Sequence, residues 1–403
     1  MAIDIRPAHS ESKSYLCRKQ HTSPLQADFL SDRLEKRQQS GLSRQLKVAG
    51  TLIDFCSNDY LGLARSTALK NAIRHLDDAH PAALTGATGS RLLAGHTQLA
   101  DEVEQELAMF YHTESALVFN SGYDANIGLL ASLPQRGDTL ITDELIHASM
   151  IDGARLSYAT RLRFRHNDLT DLEQQLQQPR TGQAFVAVES VYSMDGDLAP
   201  LTDIVKLCDQ YHAFLLVDEA HATGVFGPQG EGLVVALGLQ ERVLARVHTF
   251  GKALGVHGAA VVGPALLSQY LINFARSFIY TTALPPHSLL AMQAAHRFVQ
   301  QHREPQQLIQ AHIRNFQALI QEYLPDTHWT DSQSPIQCLI IPGNETCRQA
   351  ALTAQQAGFD IRAILSPTVP AGQERIRICL HAFNTPAELQ ALIHILQQAS
   401  QFN

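Results

Sequence analysis

Ala213-Phe214-Leu215-Leu216-Val217-Asp218-Glu219-Ala220-His221 is the stretch on which the reading of this chain turns. Its apolar run passes directly into two acids and a histidine. A run so short and so apolar reads as a strand buried on both faces of a parallel sheet. Asp218 then stands at the carboxyl end of that strand, where open α/β sheets bind their ligands. Further on, Thr249-Phe250-Gly251-Lys252 sets a lysine beside Gly251, Ala253 and Gly255, with few charges near it. Apolar, glycine-lined surroundings keep an amine partly neutral, and a neutral amine is a nucleophile.

A chain of 403 residues, 45% of them hydrophobic, can build a sizeable core, as two domains or one large and one small. The formal net charge is −8 and only 17% of residues are charged. Nonspecific binding to nucleic acid or to anionic membranes needs a net basic face, so neither is expected as a partner. The cysteines (Cys17, Cys56, Cys208, Cys338, Cys347 and Cys379) are scattered and form no C-x-x-C pair. That pattern implies a reducing, cytoplasmic location rather than a disulfide framework. No apolar run approaches the ~20 residues that span a bilayer, and Met1 to Gln20 lacks the apolar stretch of a secretory signal.

Residues 1–60 read as an arm to about Pro24, a helical pattern over Phe29–Leu46 and a turn at Ser57–Gly62. Residues 61–285 read as a large cofactor-binding domain. Leu99, Val103, Leu107 and Phe110 share one helical face. Strands are expected at Ala116–Phe119, Leu140–Ile141, Phe185–Val188, Ala213–Val217 and Ala259–Val262, alternating with helices. That alternation is the mark of an α/β fold with a mostly parallel, two-sided sheet. After Pro285-Pro286 come long glutamine-rich helices. Ile336–Ile341 and Ile376–Ile378 then suggest a small α+β domain over residues 286–403. The runs Gln174–Gln178 and Gln306–Gln310 read as exposed helix surface.

Ser121-Gly122-Tyr123-Asp124-Ala125-Asn126 directly follows the Val118-Phe119 strand. A strand turning through glycine into a helix offers free N–H groups and a positive dipole end to an anion. Gly122 and Tyr123 are thus a candidate phosphate cradle, to which Thr249 could add a hydroxyl; a plain tight turn is the bland alternative. A lysine that forms a Schiff base and a carboxylate that faces a ring nitrogen are what pyridoxal 5′-phosphate requires of a protein. Lys252 and Asp218 fill those two roles. His147, just beyond the Leu140-Ile141 strand, could stack on the ring, although among 19 histidines any one is more often surface or core. His221, on the same loop as Asp218, and Ser193, after another strand, could hydrogen-bond the ring's phenolic oxygen. Asp218, His221 and His147 lack zinc-ligand spacing, so no metal is expected. Gly227–Gly232 lacks the lysine and Ser/Thr of a P-loop and reads as a surface loop.

Ser57–Leu63 (SNDYLGL), Gly89-Ser90-Arg91 with Gly95-His96, Ser121-Gly122, Asp218–His221 and Thr249–Lys252 together resemble the α-oxoamine synthase family. Its members are pyridoxal-phosphate acyltransferases that condense an amino acid with an acyl thioester and release carbon dioxide. The resemblance runs from about Asp32 to the end. It implies fold type I: a large domain with a mostly parallel seven-stranded sheet flanked by helices, plus a small α+β domain. Phe274–Thr282 and Ser366–Gly372 look most like the branch that joins L-alanine to a pimeloyl thioester, carried on coenzyme A or acyl carrier protein, in biotin synthesis. By the same resemblance Arg44 and Thr368 contact substrate, Asn58 lies near the condensing groups and Arg377 takes the amino-acid carboxylate. His147, Ser193, His221 and Thr249 hold the cofactor, and the site is built in a homodimer. The arm before Pro24 is longer than is usual in the family, and His257 stands where a small residue is common. Glycine-using relatives (glycine C-acetyltransferase, 5-aminolevulinate synthase) and a non-catalytic cofactor-binding protein remain the alternatives.

Overall fold

The computed structural model describes residues 28–44, 46, 48 and 50–400. The arm expected up to about Pro24, with Cys17, lies outside the described residues. The chain divides into two compact units, Met1–Thr51 and Leu52–Asn403. In the first, a helix spans Asp28–Gln39 with none of its side chains buried. It ends short of the expected Leu46 because Gly41 turns left-handed at φ 68°, and Leu42 N–H donates back to Arg37 O at 3.0 Å. That is the usual glycine stop of a helix.

The second unit is organised by seven strands: β1 Ser115–Phe119, β2 Thr139–Asp143, β3 Thr160–Phe164, β4 Ala184–Glu189, β5 Ala213–Asp218, β6 Ala245–Thr249 and β7 Ala259–Gly263. They lie in the order β1-β7-β6-β5-β4-β2-β3. Strands β6, β5, β4, β2 and β3 are parallel neighbours, while β7 runs antiparallel to both β6 and β1. All strands except β7 therefore deliver their carboxyl ends to one edge of the sheet.

Successive side chains of a strand face opposite sides. Phe185, Ala187 and Leu216 accordingly enter one apolar cluster with helix residues Leu129 and Met150. Val186, Val188, Leu215 and Val217 enter another, with Leu172 and Ile204. Water is excluded from both faces, which is why these strands read as unbroken apolar runs. A separate antiparallel sheet of β8 Ile336–Ile340, β9 Arg362–Ile364 and β10 Arg375–Cys379 lies in the order β9-β10-β8. Helices Asn344–Gln356 and Pro386–Ser400 accompany it, and Ile53–Asp54 pair in parallel with Phe359–Asp360.

Two readings of loops and surfaces need correction. Gly230, Glu231 and Gly232 are buried rather than on the surface, and Glu231 is only 1% exposed. Gln306 and Gln310 are half-buried and tie this loop down. Gln306 Nε2 donates to Gly227 O at 2.7 Å and Gln310 Nε2 to Val225 O at 3.1 Å. Amides spaced at i and i+4 sit on one helix face, and here that face meets backbone carbonyls instead of solvent.

Candidate active site

The candidate residues of the second unit gather mostly where the strands end. Asp218 is the last residue of β5, Thr249 the last of β6 and Glu189 the last of β4, facing Asp218 in register. Past β1, Ser121 caps the helix Gly122–Ser132, its hydroxyl accepting from Asp124 N–H at 3.1 Å. Among the described residues the N–H groups of Gly122 and Tyr123 have no partner, as expected for a helix start. A Cβ on Gly122 would lie 2.2 Å from Thr249 Oγ1, so only glycine lets these two segments close on each other.

Asp218 is buried with both oxygens engaged: Oδ2 accepts from Asn126 Nδ2 at 2.7 Å and Oδ1 from Ala220 N–H at 2.9 Å. Asn126 also donates to Ser149 Oγ at 3.0 Å, and Ser149 Oγ lies 2.8 Å from His147 Nδ1. His147 caps the helix Ala148–Leu156, its Nδ1 accepting from Ser149 N–H at 3.2 Å. Its imidazole is pushed below the usual range, chiefly by loss of water and also by the Lys252 charge, with Asp218 pulling the other way.

Lys252 Nζ lies 2.8 Å from His221 Nε2. Removal from water lowers the amine to about 8, against the opposing pull of Asp218 and Glu189. His221 is driven well below its ordinary range by burial first, then by the Lys252 and Arg377 charges. On its far side Nδ1 lies 2.7 Å from the hydroxyl of fully buried Tyr60, which donates to Asn58 Oδ1 at 3.1 Å. Arg377, in β10, donates from Nη2 to Asn58 Oδ1 at 3.1 Å and from Nε to Ser193 O at 2.8 Å. Glu189 accepts from Ser193 N–H at 3.2 Å, while its other oxygen is buried without a partner. Burial and the nearby Asp218 charge raise Glu189 well above the carboxylate range.

Lys252, Asp218, His147, His221, Ser193, Thr249, Gly122, Tyr123, Asn58 and Arg377 are therefore linked through short contacts or shared strand ends. Thr368 stands apart: it is exposed in the turn after β9, its N–H donating to Leu365 O at 2.8 Å. Arg44 is exposed in the Met1–Thr51 unit. Reasoning from sequence missed the roles of Tyr60, Asn126, Ser149 and Glu189. Asn126 and Tyr60 lay in plain sight within quoted motifs, but nothing local marks a polar side chain whose partner is far along the chain.

The donor set suits pyridoxal 5′-phosphate. A glycine-closed cradle of free N–H groups with a threonine hydroxyl suits the phosphate, a buried carboxylate the ring nitrogen, and a desolvated amine the aldehyde carbon.

The family model for aminotransferase class I and II matches residues 50–396. An 8-amino-7-oxononanoate synthase from Emericella nidulans is 43% identical, over 92% of this chain and 94% of that protein. One from Marinobacter nauticus is 39% identical, over 92% of this chain and 96% of its own length. Among solved structures, serine palmitoyltransferase from S. paucimobilis with bound PLP superposes with a TM-score of 0.84 at 28% identity, covering 93% of this chain and 97% of that one. An 8-amino-7-oxononanoate synthase from Francisella tularensis gives 0.75 at 29% identity, with 87% and 98% covered.

Proposed function

The chain belongs to the aminotransferase class I and II family and, within it, to the α-oxoamine synthases, and from that premise we propose that it joins L-alanine to a pimeloyl thioester. The products are 8-amino-7-oxononanoate, an intermediate of biotin biosynthesis, with carbon dioxide and the free thiol. The observation that carries this reading is the amine of Lys252, desolvated and 2.8 Å from His221, in one polar network with the guanidinium of Arg377.

Bound pyridoxal 5′-phosphate supplies a sink for the electron pair left at the amino acid's α-carbon. Gly122, Tyr123 and Thr249 would hold its phosphate, Asp218 would keep a proton on its ring nitrogen, and His147 would pack beside the ring. Asn126 orients both Asp218 and Ser149, and Ser149 in turn orients His147. Arg377 grips the alanine carboxylate through its guanidinium fork, with Asn58 beside it. Lys252 takes the α-proton; a lysine lowered to about 8 is neutral often enough near physiological pH to act as that base.

The working unit in this reading is a cytoplasmic homodimer. All five described cysteines are free, which suits a reducing compartment. Among the described residues no helix is long and apolar enough to cross a membrane.

A matrix of amino acids against acyl thioesters, scored by carbon dioxide and product mass, tests the function. One methyl group in an apolar pocket is worth roughly 1–3 kcal/mol, about 10–200-fold. Alanine is expected to exceed glycine in kcat/KM by a factor in that range, with serine poor because its hydroxyl loses water. Equal or better use of glycine moves the activity to a glycine-using member of the family.

A further inference from the structure

We propose that Tyr60 is a positioning residue whose hydroxyl fixes which nitrogen of His221 carries the ring proton, joining the amine at one end of the site to the carboxylate grip at the other. Naming what the two ends bind rests on the function proposed above; the chain of hydrogen bonds between them does not.

Donor accounting sets the direction of that chain. Arg377 can only donate, so Asn58 turns its amide oxygen toward Nη2 at 3.1 Å. The same oxygen can only accept, so it takes the single proton of the Tyr60 hydroxyl at 3.1 Å. Tyr60 then offers a lone pair to His221 Nδ1 at 2.7 Å, and Nδ1 must carry the imidazole proton. Buried and flanked by two cations, His221 stays neutral and has only that one proton. Nε2 is left bare, and Lys252 donates to it across 2.8 Å. Three side chains, His221, Tyr60 and Asn58, thus link the amine to the guanidinium: three bonds run from Lys252 to Asn58 Oδ1, and Arg377 donates to the same oxygen from the other side.

Without the Tyr60 hydroxyl, Nδ1 loses its partner and the ring proton is free to settle on Nε2. An N–H there points at Lys252, and only a neutral amine can accept it. Removing the hydroxyl therefore shifts Lys252 toward its uncharged form. The other ionisable groups facing Lys252 are Asp218 from the end of β5, Glu189 from the end of β4, His147 from beyond β2, and Arg377 and Cys379 from β10. Tyr60→Phe replaces none of these side chains.

The test uses the full chain without cofactor or substrate. Lys252 is acetylated with acetic anhydride across a pH series and quantified by mass spectrometry, with thermal melting as the check on folding. The wild-type midpoint is expected at about 8, and that of Tyr60→Phe on the order of one pH unit lower. Asn58→Ala should lower it too, because Tyr60 then gives its proton to Nδ1 and displaces the ring proton to Nε2. The double variant should go no lower than either single one, since both act through one hydroxyl. An unchanged midpoint in folded Tyr60→Phe, or shifts that add, overturns the inference. If Tyr60→Phe does not fold, the wild type decides by ¹⁵N NMR of the imidazoles, with His221 assigned by the signal missing in His221→Asn. A proton on Nδ1 supports the inference and a proton on Nε2 overturns it. Failure to turn over any thioester would leave these results untouched, so the two readings fail separately.

Discussion

Asp218 illustrates how much a single side chain can owe to its neighbours. Asn126 and the Ala220 N–H fix its orientation, so that in the role proposed its charge would face the ring nitrogen without reorganisation. Asp218→Asn keeps the shape but cannot hold a proton on that nitrogen, and the charge matters most once the α-carbanion forms. We expect kcat to fall by roughly 10²-fold or more, about 3 kcal/mol, with a much smaller change in KM. Steady-state kinetics with alanine check this, and a near-normal kcat would remove Asp218 from the role. Asp218, His221 and Lys252 were legible in the sequence because each is a polar residue set abruptly against apolar or glycine-rich neighbours. Tyr60 and Asn126 were not, because their partners His221 and Asp218 lie 161 and 92 residues away. Side chains satisfied only by long-range contacts leave no periodic or local trace.

At the scale of elements, the strands buried on both faces announced themselves, and β3 and β6 did not. Strand β3 lies at the sheet's edge and alternates exposed Arg161 and Arg163 with more buried residues, a common guard against unwanted strand pairing. Strand β6 hides Arg246 and His248 in the interior. Arg246 Nη2 donates to Tyr111 O at 2.6 Å, and His248 Nδ1 lies 2.8 Å from Thr223 Oγ1. Buried polar residues of this kind break the apolar run by which a central strand is recognised. The junction of β6 with the helix after β1 also yields a prediction. Gly122→Ala sets a methyl 2.2 Å from Thr249 Oγ1, forcing apart the two segments that would enclose the phosphate. Cofactor affinity, measured by equilibrium dialysis, should fall about tenfold, roughly 1.4 kcal/mol, with the far-ultraviolet circular dichroism unchanged. Wild-type affinity in Gly122→Ala would place the phosphate elsewhere.

Across the whole molecule, stability should depend on pH through His166. Its ring is held between Asp143, 3.1 Å from Nδ1, and Asp197, 2.8 Å from Nε2. Burial works against the charge, but the two carboxylates prevail and push the imidazole up to about 10. The folded value lies above the ordinary 6.5, so this contribution is complete below about pH 6.5 and is lost as pH rises through about 10. Thermal midpoints should fall over that window in the wild type and fall less in His166→Asn; matching slopes would refute the assignment. Sedimentation should show a dimer at assay concentration, and a fully active monomer would contradict a shared site. Asn58 and Arg377, which share one hydrogen bond, are 319 residues apart. At the usual pace of about 5–20 residues per second, a ribosome takes roughly 16–64 s to get from one to the other. A nascent or prematurely terminated chain can therefore own Lys252 and the proposed phosphate cradle yet lack the arginine proposed to grip the substrate. On the function proposed, competence would arrive only with the last stretch of translation, and chains cut short before it would not spend substrate.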